Sequence, residues 1–152
     1  MKVSDVMTTD VVSVSPDTNL GAVAQRMAAN SVSGLPVLTG DGRLVGIITE
    51  GDLIRGCRQY NLPVFLDMMG TVVQANLPTN FEDRLESLLR SPAGKLMTTE
   101  LITVGPDDTL ETAAEYLSRY RLGRLPVVNQ GMVLLGIISR SDLIRAMTQP
   151  QA

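Results

Sequence analysis

Hydrophobic and polar residues follow a pattern that predicts the same order of elements twice along the chain. Residues 11–14 and 101–104 are short β-prone runs, and each is followed closely by a proline. After each run, apolar residues recur at helical spacing and form a single stripe, which predicts an amphipathic helix. Asp108 and Glu111 have the spacing of a capping box at the start of the second of these helices. The apolar stripes consist of Leu20, Val23, Ala24 and Met27 in the first copy, and of Leu110, Ala113, Ala114 and Leu117 in the second.

Two further strands and a second helix complete each copy. Short apolar runs flank the turn-forming residues 39–43 in the first copy and 129–131 in the second, which favours a β-hairpin in each. Thr49 and Ser139 then stand at the N-cap position of another predicted helix. The order strand, helix, strand, strand, helix predicts an α/β fold.

These two copies form an internal repeat. Residues 6–55 align with residues 96–145 without a gap, at a constant offset of 90, and about two in five positions are identical. Two copies are too few for a solenoid. We therefore expect two pseudo-symmetric halves, with a first repeat over 1–55 and a second over 96–152.

Residues 56–95 are not repeated, and we interpret them as a bridge that covers an edge of the core. Thr79 and Asn80 provide capping residues for a predicted helix over 81–89. The alternative is that exposed apolar residues of the bridge form a dimer or partner surface, because methionine adapts to varied contacts. The residues concerned are Phe65, Met68 and Met69.

Composition then excludes several kinds of chemistry. The 152 residues include no histidine and one cysteine, and their net charge is -3. Without histidine there is no Ser-His-Asp nucleophile and no His-ligated metal. A single cysteine, Cys57, excludes a disulfide framework and indicates an intracellular protein. The neighbouring Arg55 and Arg58 would lower its pKa, but the interpretation we favour is a structural or incidental thiol. The acidic balance argues against nucleic-acid binding, and no apolar run is long enough to insert in a membrane. Catalysis is disfavoured, although carboxylates, lysines and the cysteine remain available for it. We expect a cytoplasmic protein that is not an enzyme and holds no metal.

The repeated motifs resemble those of the cystathionine-β-synthase (CBS) domain family. Each copy has an opening Met-Thr, a Leu-Pro-Val strand and a closing Gly-Ile-Ile-Thr/Ser-x-x-Asp-Leu-Ile-Arg. The resemblance is to a tandem pair, called a Bateman module, and implies two pseudo-symmetric β-α-β-β-α CBS repeats packed sheet to sheet, with two clefts. It also implies a regulatory module that needs no resident cofactor. Such a module binds AMP, ADP, ATP or S-adenosylmethionine, forms a homodimer, and acts on an effector enzyme or transporter.

The resemblance further implies which residues line the clefts. In each cleft an aspartate would hold the ribose, a threonine or serine would hold the phosphate end, and apolar residues would enclose the base. One cleft would join Ile137, Ser139 and Asp142 to Val12, Val32 and Ser33, and the other would join Ile47, Thr49 and Asp52 to Ile102, Leu122 and Gly123.

The Thr/Ser-x-x-Asp spacing is also that of an ordinary capping box, and one aspartate cannot fully serve both roles. A preceding glycine, Gly46 or Gly136, would let a ligand approach the strand closely. The N-terminus of the following helix would favour a phosphate. A structural cap and a nucleotide subsite therefore both remain open.

Charged neighbours differ between the two clefts. Arg124 and Glu50 would belong to the Asp52 cleft, and Arg140 to the Asp142 cleft. We expect the sites to be inequivalent, with the Asp52 cleft preferring the more highly charged phosphate chain. The alternative is that these arginines are solvated surface residues. At the level of the whole protein, the alternative is a structural or dimerisation module whose clefts are unoccupied.

Overall fold

The computed structural model describes residues 1–62 and 80–149, which contain helices and two small sheets. The strands pair as β1 with β2 and as β3 with β4, and the predicted α/β class is confirmed. The elements are α1 (Val3–Val6), α2 (Leu20–Asn30), β1 (Gly34–Leu38), β2 (Leu44–Thr49), α3 (Glu50–Gln59), α4 (Phe81–Arg90), α5 (Ala93–Leu96), α6 (Leu110–Arg119), β3 (Arg124–Val128), β4 (Leu134–Ser139) and α7 (Arg140–Thr148).

The two amphipathic helices predicted from the apolar stripes are α2 and α6. Leu20, Val23 and Met27 are buried on α2, as are Ala113 and Leu117 on α6. The predicted capping box at the start of α6 is wrong. The N-cap is Thr109, whose hydroxyl accepts from the Thr112 amide at 3.1 Å, while Asp108 accepts from the Gly105 amide at 2.7 Å. The helix therefore begins one residue later than predicted, because Asp108 closes the preceding turn.

The first predicted strand of each repeat is reduced to a single parallel bridge. Val14 pairs with Val37, and Val104 pairs with Val127. A parallel ladder would continue only if the residues at 16 and 36, or at 106 and 126, donated backbone N–H groups to the neighbouring segment. All four are prolines, which have no N–H, so pairing stops on both sides of each bridge.

The predicted hairpins form as β1–β2 and β3–β4. In the second hairpin the strands are antiparallel, Leu125 lies opposite Ile138, and the register shifts between Val127 and Val128. The tips of the two hairpins are joined by backbone hydrogen bonds from Leu44 to the Met132 carbonyl (2.8 Å) and from Leu134 to the Gly42 carbonyl (3.0 Å).

The chain divides into two compact units, and each contains segments of both repeats. We call residues 1–13, 38–45 and 100–152 unit 1, and residues 14–37 and 46–99 unit 2. In unit 1, helix α1 contributes Val3 to a buried cluster made otherwise by the second repeat. The cluster consists of Val3, Val104, Ala113, Leu117, Leu125, Val127 and Ile138.

Unit 2 is built in the same way from the body of the first repeat and from the segment that leads into the second. Helix α4 packs against α2 and α3, and α5 packs against α3. The Ala93 amide donates to the Thr18 carbonyl at 2.8 Å, and at the corresponding position of unit 1 the Val3 amide donates to the Asp108 carbonyl at 2.9 Å. Each repeat therefore supplies its leading segment to the other unit.

The helix expected over 81–89 is α4. Asn80 occupies its N-cap position but makes no side-chain cap hydrogen bond, and Thr79 lies outside the described residues. Phe65, Met68 and Met69, the expected partner surface, also lie outside them. The domain limits 1–55, 56–95 and 96–152 are limits of sequence similarity and stay a prediction.

Candidate functional site

In unit 2, the buried carboxylate of Asp52 is the centre of a hydrogen-bond network at the start of α3. Its Oδ2 accepts from the Thr49 amide at 2.9 Å and from the Thr49 hydroxyl at 3.1 Å. Its Oδ1 accepts from Arg55 at 2.8 Å and from the Thr98 hydroxyl at 3.0 Å. Arg55 also donates to the Leu96 carbonyl at 3.0 Å, so the network connects α3 to α5.

Asp142 has the corresponding position at the start of α7 in unit 1, with fewer partners. Its Oδ2 accepts from the Ser139 amide at 2.8 Å, and its Oδ1 accepts from Arg145 at 3.0 Å. The Ser139 hydroxyl in turn accepts from the Asp142 amide at 3.2 Å. The side chain of Asp142 is 4% exposed and that of Asp52 is 3% exposed, so both carboxylates are buried.

The Thr/Ser-x-x-Asp motif forms a complete capping box in both units. The cap is therefore present, whereas the ribose and phosphate roles of the same residues stay predictions. A buried carboxylate with an arginine beside it at i+3 is a strong acceptor for hydroxyl groups, because its charge strengthens each hydrogen bond. Chemically, a carboxylate of this kind suits a neutral, hydroxyl-rich group better than a second anion wherever an acceptor position is left unoccupied.

The glycines before these motifs serve the packing of the chain itself. Gly46 lies against Met97 and the Thr98 carbonyl, and Gly136 lies against Met7 and the Thr8 carbonyl. Because these backbones pair with Ile47 and Ile137 in isolated bridges, a larger residue would collide with them. The expectation that the glycines admit a ligand is corrected accordingly: a segment of the protein approaches each strand there.

The charged residues expected near the phosphate have different surroundings. Arg140 donates from Nε to the Leu122 carbonyl at 2.9 Å and from Nη2 to the Leu117 carbonyl at 3.4 Å, which holds it against the end of α6. Arg124 is exposed and makes no side-chain hydrogen bond or ion pair within residues 1–62 and 80–149. Glu50 is exposed at the start of α3. Of these two arginines, Arg124 is therefore the one whose donors are available within the described ranges.

The two units divide the predicted site residues between them. Within unit 1, the Gly123 carbonyl accepts from the Arg140 amide at 3.2 Å and Arg124 pairs with Ser139. Within unit 2, the Ser33 carbonyl accepts from the Glu50 amide at 3.0 Å. The cleft assignments that combine the units stay a prediction. Unit 1 holds Val12, Ile102, Leu122, Gly123, Arg124, Ile137, Ser139, Arg140 and Asp142, and unit 2 holds Val32, Ser33, Ile47, Thr49 and Asp52.

Three residues of these centres were not predicted from the sequence. Arg55 and Arg145 were visible as the last residue of a repeated Asp-Leu-Ile-Arg, and the i, i+3 spacing puts each beside its aspartate on one helix face. Thr98 gave no comparable signal, because its contact with Asp52 joins residues 46 positions apart.

Cys57 is a free, half-buried thiol. Burial raises the pKa of this thiol, which is opposite to the lowering that the neighbouring arginines would cause. Among residues 1–62 and 80–149, no group of three or more acidic or cysteine side chains is arranged to hold a metal ion. In the same ranges, no helix has both the length and the apolar character needed to cross a bilayer.

Known proteins resemble this chain both in sequence and in structure. An uncharacterized protein of Methanocaldococcus jannaschii is 34% identical over an alignment of 154 positions, gaps included, which covers 97% of this chain and 91% of that protein. An inosine-5'-monophosphate dehydrogenase of the same organism is 30% identical over 99% of this chain but only 24% of the enzyme. The crystal structure of CBSX2 in complex with AMP superposes with a TM-score of 0.72 at 26% identity, covering 96% of this chain and 95% of that one.

The family model for the CBS domain matches twice, over residues 3–58 and 93–149. The two matched segments each begin at a leading helix, α1 or α5, and end near the helix that carries the buried aspartate. The chain therefore belongs to the CBS domain family, as a tandem pair of CBS domains.

Proposed function

We propose that this protein is a regulatory module that binds an adenine nucleotide and communicates the ligand state to a partner protein. The observation that carries the proposal is the similarity to CBSX2, a CBS protein crystallised with AMP, over nearly the whole of both chains. Both units retain a hydroxyl and a carboxylate at the start of the helix that follows the sheet. The family model that matches is that of a CBS domain and not of a catalytic domain, which supports a role without catalysis.

The residues of the capping centres supply the chemistry that a nucleotide needs. A carboxylate accepts hydrogen bonds from the vicinal hydroxyls of a ribose. The positive ends of the α3 and α7 helix dipoles, together with the hydroxyls of Thr49 and Ser139, suit the phosphate end. Exposed Arg124 adds positive charge for a longer phosphate chain. AMP is the first ligand to test, and ADP, ATP and S-adenosylmethionine are the others that we include.

Communication requires that the ligand bind one arrangement of the protein better than another. Within unit 2, the Asp52 network links α3 to α5, because Arg55 contacts both the carboxylate and the Leu96 carbonyl. On α7, the exposed apolar side chains of Ile144 and Met147 suit a protein contact, with a second copy of the chain or with an effector. This chain matches about a quarter of the length of an inosine-5'-monophosphate dehydrogenase, so in that protein the matching region is joined to an enzyme. This supports an effector that is an enzyme. We place the module in the cytoplasm.

Thermal unfolding with and without ligand tests the proposal on the full chain. At an AMP concentration of about 100 Kd, binding to the folded state should stabilise it by about 2.7 kcal/mol. GMP serves as the matched control, because it presents the same ribose and phosphate with a different base. Stabilisation by AMP and not by GMP supports an adenine-specific module, whereas equal shifts would contradict the adenine preference.

One observation favours a second candidate, a structural or dimerisation module without a ligand. Both buried carboxylates already have protein partners, so the fold is satisfied as it stands. In that case millimolar AMP, ADP, ATP and S-adenosylmethionine would all leave the unfolding temperature unchanged, while sedimentation would show a dimer. Turnover of ATP by the purified protein would contradict both candidates and indicate an enzyme.

A further inference from the structure

The two buried aspartates differ in how many acceptor positions are occupied. An ionised carboxylate offers about four lone-pair positions for hydrogen bonds. Asp52 receives hydrogen bonds from the Thr49 amide, the Thr49 hydroxyl, Arg55 and Thr98. Within the described residues, Asp142 receives them only from the Ser139 amide and from Arg145. Asp142 therefore has acceptor capacity for a ligand, whereas Asp52 has none.

The groups that cover the two carboxylates also differ in how firmly they are held. Arg55 is bonded a second time, to the Leu96 carbonyl. Thr98 is fixed by two backbone hydrogen bonds with Ile47, at 2.8 and 2.9 Å. Arg145 is 61% exposed and, in the described part of the chain, its guanidinium donates only to Asp142. A ligand hydroxyl reaches Asp142 by displacing one exposed side chain, but reaches Asp52 only by breaking several connected hydrogen bonds.

Position 8 shows that one part of this difference, beside the extra donation by the Thr49 hydroxyl, depends on the hydroxyl of Thr98. Thr8 is the counterpart of Thr98 and makes the same pair of backbone hydrogen bonds, with Ile137, both at 2.8 Å. In residues 1–62 and 80–149, however, the Thr8 hydroxyl makes no hydrogen bond to Asp142. The same residue type with the same backbone pairing therefore seals one carboxylate and leaves the other accessible.

We propose that Thr98, together with Arg55, closes the Asp52 carboxylate, so that Asp142 alone takes the ribose hydroxyls and each chain binds one nucleotide. Thr98 thus determines which of the two aspartates binds the ribose. It acts by donating a hydrogen bond to Asp52 and not by touching the ligand. The inference rests on the proposed function, because it assigns the sugar subsite of that module. One nucleotide per chain, at Asp142, leaves none at the Asp52 cleft, so this proposal replaces the expected preference of that cleft for a longer phosphate chain.

Isothermal titration of the full chain with AMP tests this assignment. The unaltered protein should bind one AMP per chain, and Asp142→Asn should weaken binding by about tenfold or more, because a charge-assisted hydrogen bond is lost. Thr98→Val should add a second binding event and raise the stoichiometry towards two. Thr8→Val is the matched control and should leave one site with unchanged affinity. Thermal unfolding of each variant establishes that it is folded.

AMP without its vicinal hydroxyls, the 2',3'-dideoxy analogue, separates loss of the sugar contact from damage elsewhere. The analogue should bind about tenfold more weakly than AMP to the unaltered protein, and with nearly the same affinity as AMP to Asp142→Asn. The assignment would be overturned if the unaltered protein bound AMP at two equal sites. It would also be overturned if Asp142→Asn left a single site with unchanged affinity. The proposed function would stand in both cases. No AMP binding by any variant would instead overturn the proposed function, and the assignment with it.

Discussion

At the scale of single residues, Gly46 and Gly136 show how tightly the chain packs against itself. A Cβ at Gly46 would lie 2.5 Å from Met97 Sδ and 3.1 Å from the Thr98 carbonyl oxygen. A Cβ at Gly136 would lie 2.7 Å from the Thr8 carbonyl oxygen and 2.9 Å from Met7 Sδ. The methionine side chains can move, but a paired backbone carbonyl cannot move without breaking its bridge.

Gly136→Ala should therefore lower the free energy of unfolding by about 1–3 kcal/mol, as overpacking does in other interiors. Gly46→Ala should cost less, because its closest contact is with the flexible Met97 side chain. Urea unfolding measures both. Gly40→Ala is the control, since a Cβ there meets nothing within 4 Å. A Gly136→Ala protein as stable as the Gly40→Ala protein would show that the strand yields easily at this position.

At the scale of secondary-structure elements, the helix caps at Thr49 and Ser139 are equivalent in type but not in strength. Each hydroxyl accepts from the backbone amide three residues on, at 3.3 Å in α3 and 3.2 Å in α7. Thr49 also donates its hydroxyl to the Asp52 carboxylate. Removing it leaves a buried, charged acceptor with one donor fewer, which is costly in a poorly hydrated environment.

Ser139→Ala should cost about 1 kcal/mol of stability, the usual value for a lost N-cap, and Thr49→Ala should cost more. Thr49→Ser keeps the hydroxyl, so it should retain most of the stability that Thr49→Ala loses. The measurement is again the free energy of unfolding in urea, with circular dichroism as the probe. Equal losses at the two positions would mean that the hydroxyl of Thr49 adds nothing at Asp52.

Local sequence signals predicted the elements that depend on neighbours along the chain. The apolar stripes of α2 and α6, the two hairpins and the caps at Thr49 and Ser139 each involve residues within a few positions of one another. The first strands were overpredicted, because one of the two limits on their pairing comes from Pro36 or Pro126, which lies in another segment. The link from Thr98 to Asp52 was not predictable either, since it depends on how α5 packs.

At the scale of the whole molecule, folding units and sequence repeats are different divisions of the chain. Unit 1 needs α1 from the start of the first repeat to complete its core, because Val3 is fully buried there. Unit 2 needs α4 and α5, in which Leu88, Ala93 and Leu96 are buried. A CBS repeat of this protein therefore lacks, on its own, the segment that covers its body.

Fragments cut at the two kinds of boundary should consequently behave differently. Residues 14–99 contain all of unit 2, so this fragment should unfold cooperatively on heating. Residues 1–62 contain the first repeat but neither α4 nor α5, so they should expose the apolar surface of α2 and α3 and show no cooperative transition. Circular dichroism melting curves distinguish the two. A division by sequence similarity predicts the opposite result, because 1–62 contains all the motifs of the first repeat whereas 14–99 omits its opening Met-Thr. If 1–62 melted cooperatively and 14–99 did not, the sequence repeat would be the folding unit. The leading segments that each repeat supplies to the other unit would then not be needed for folding.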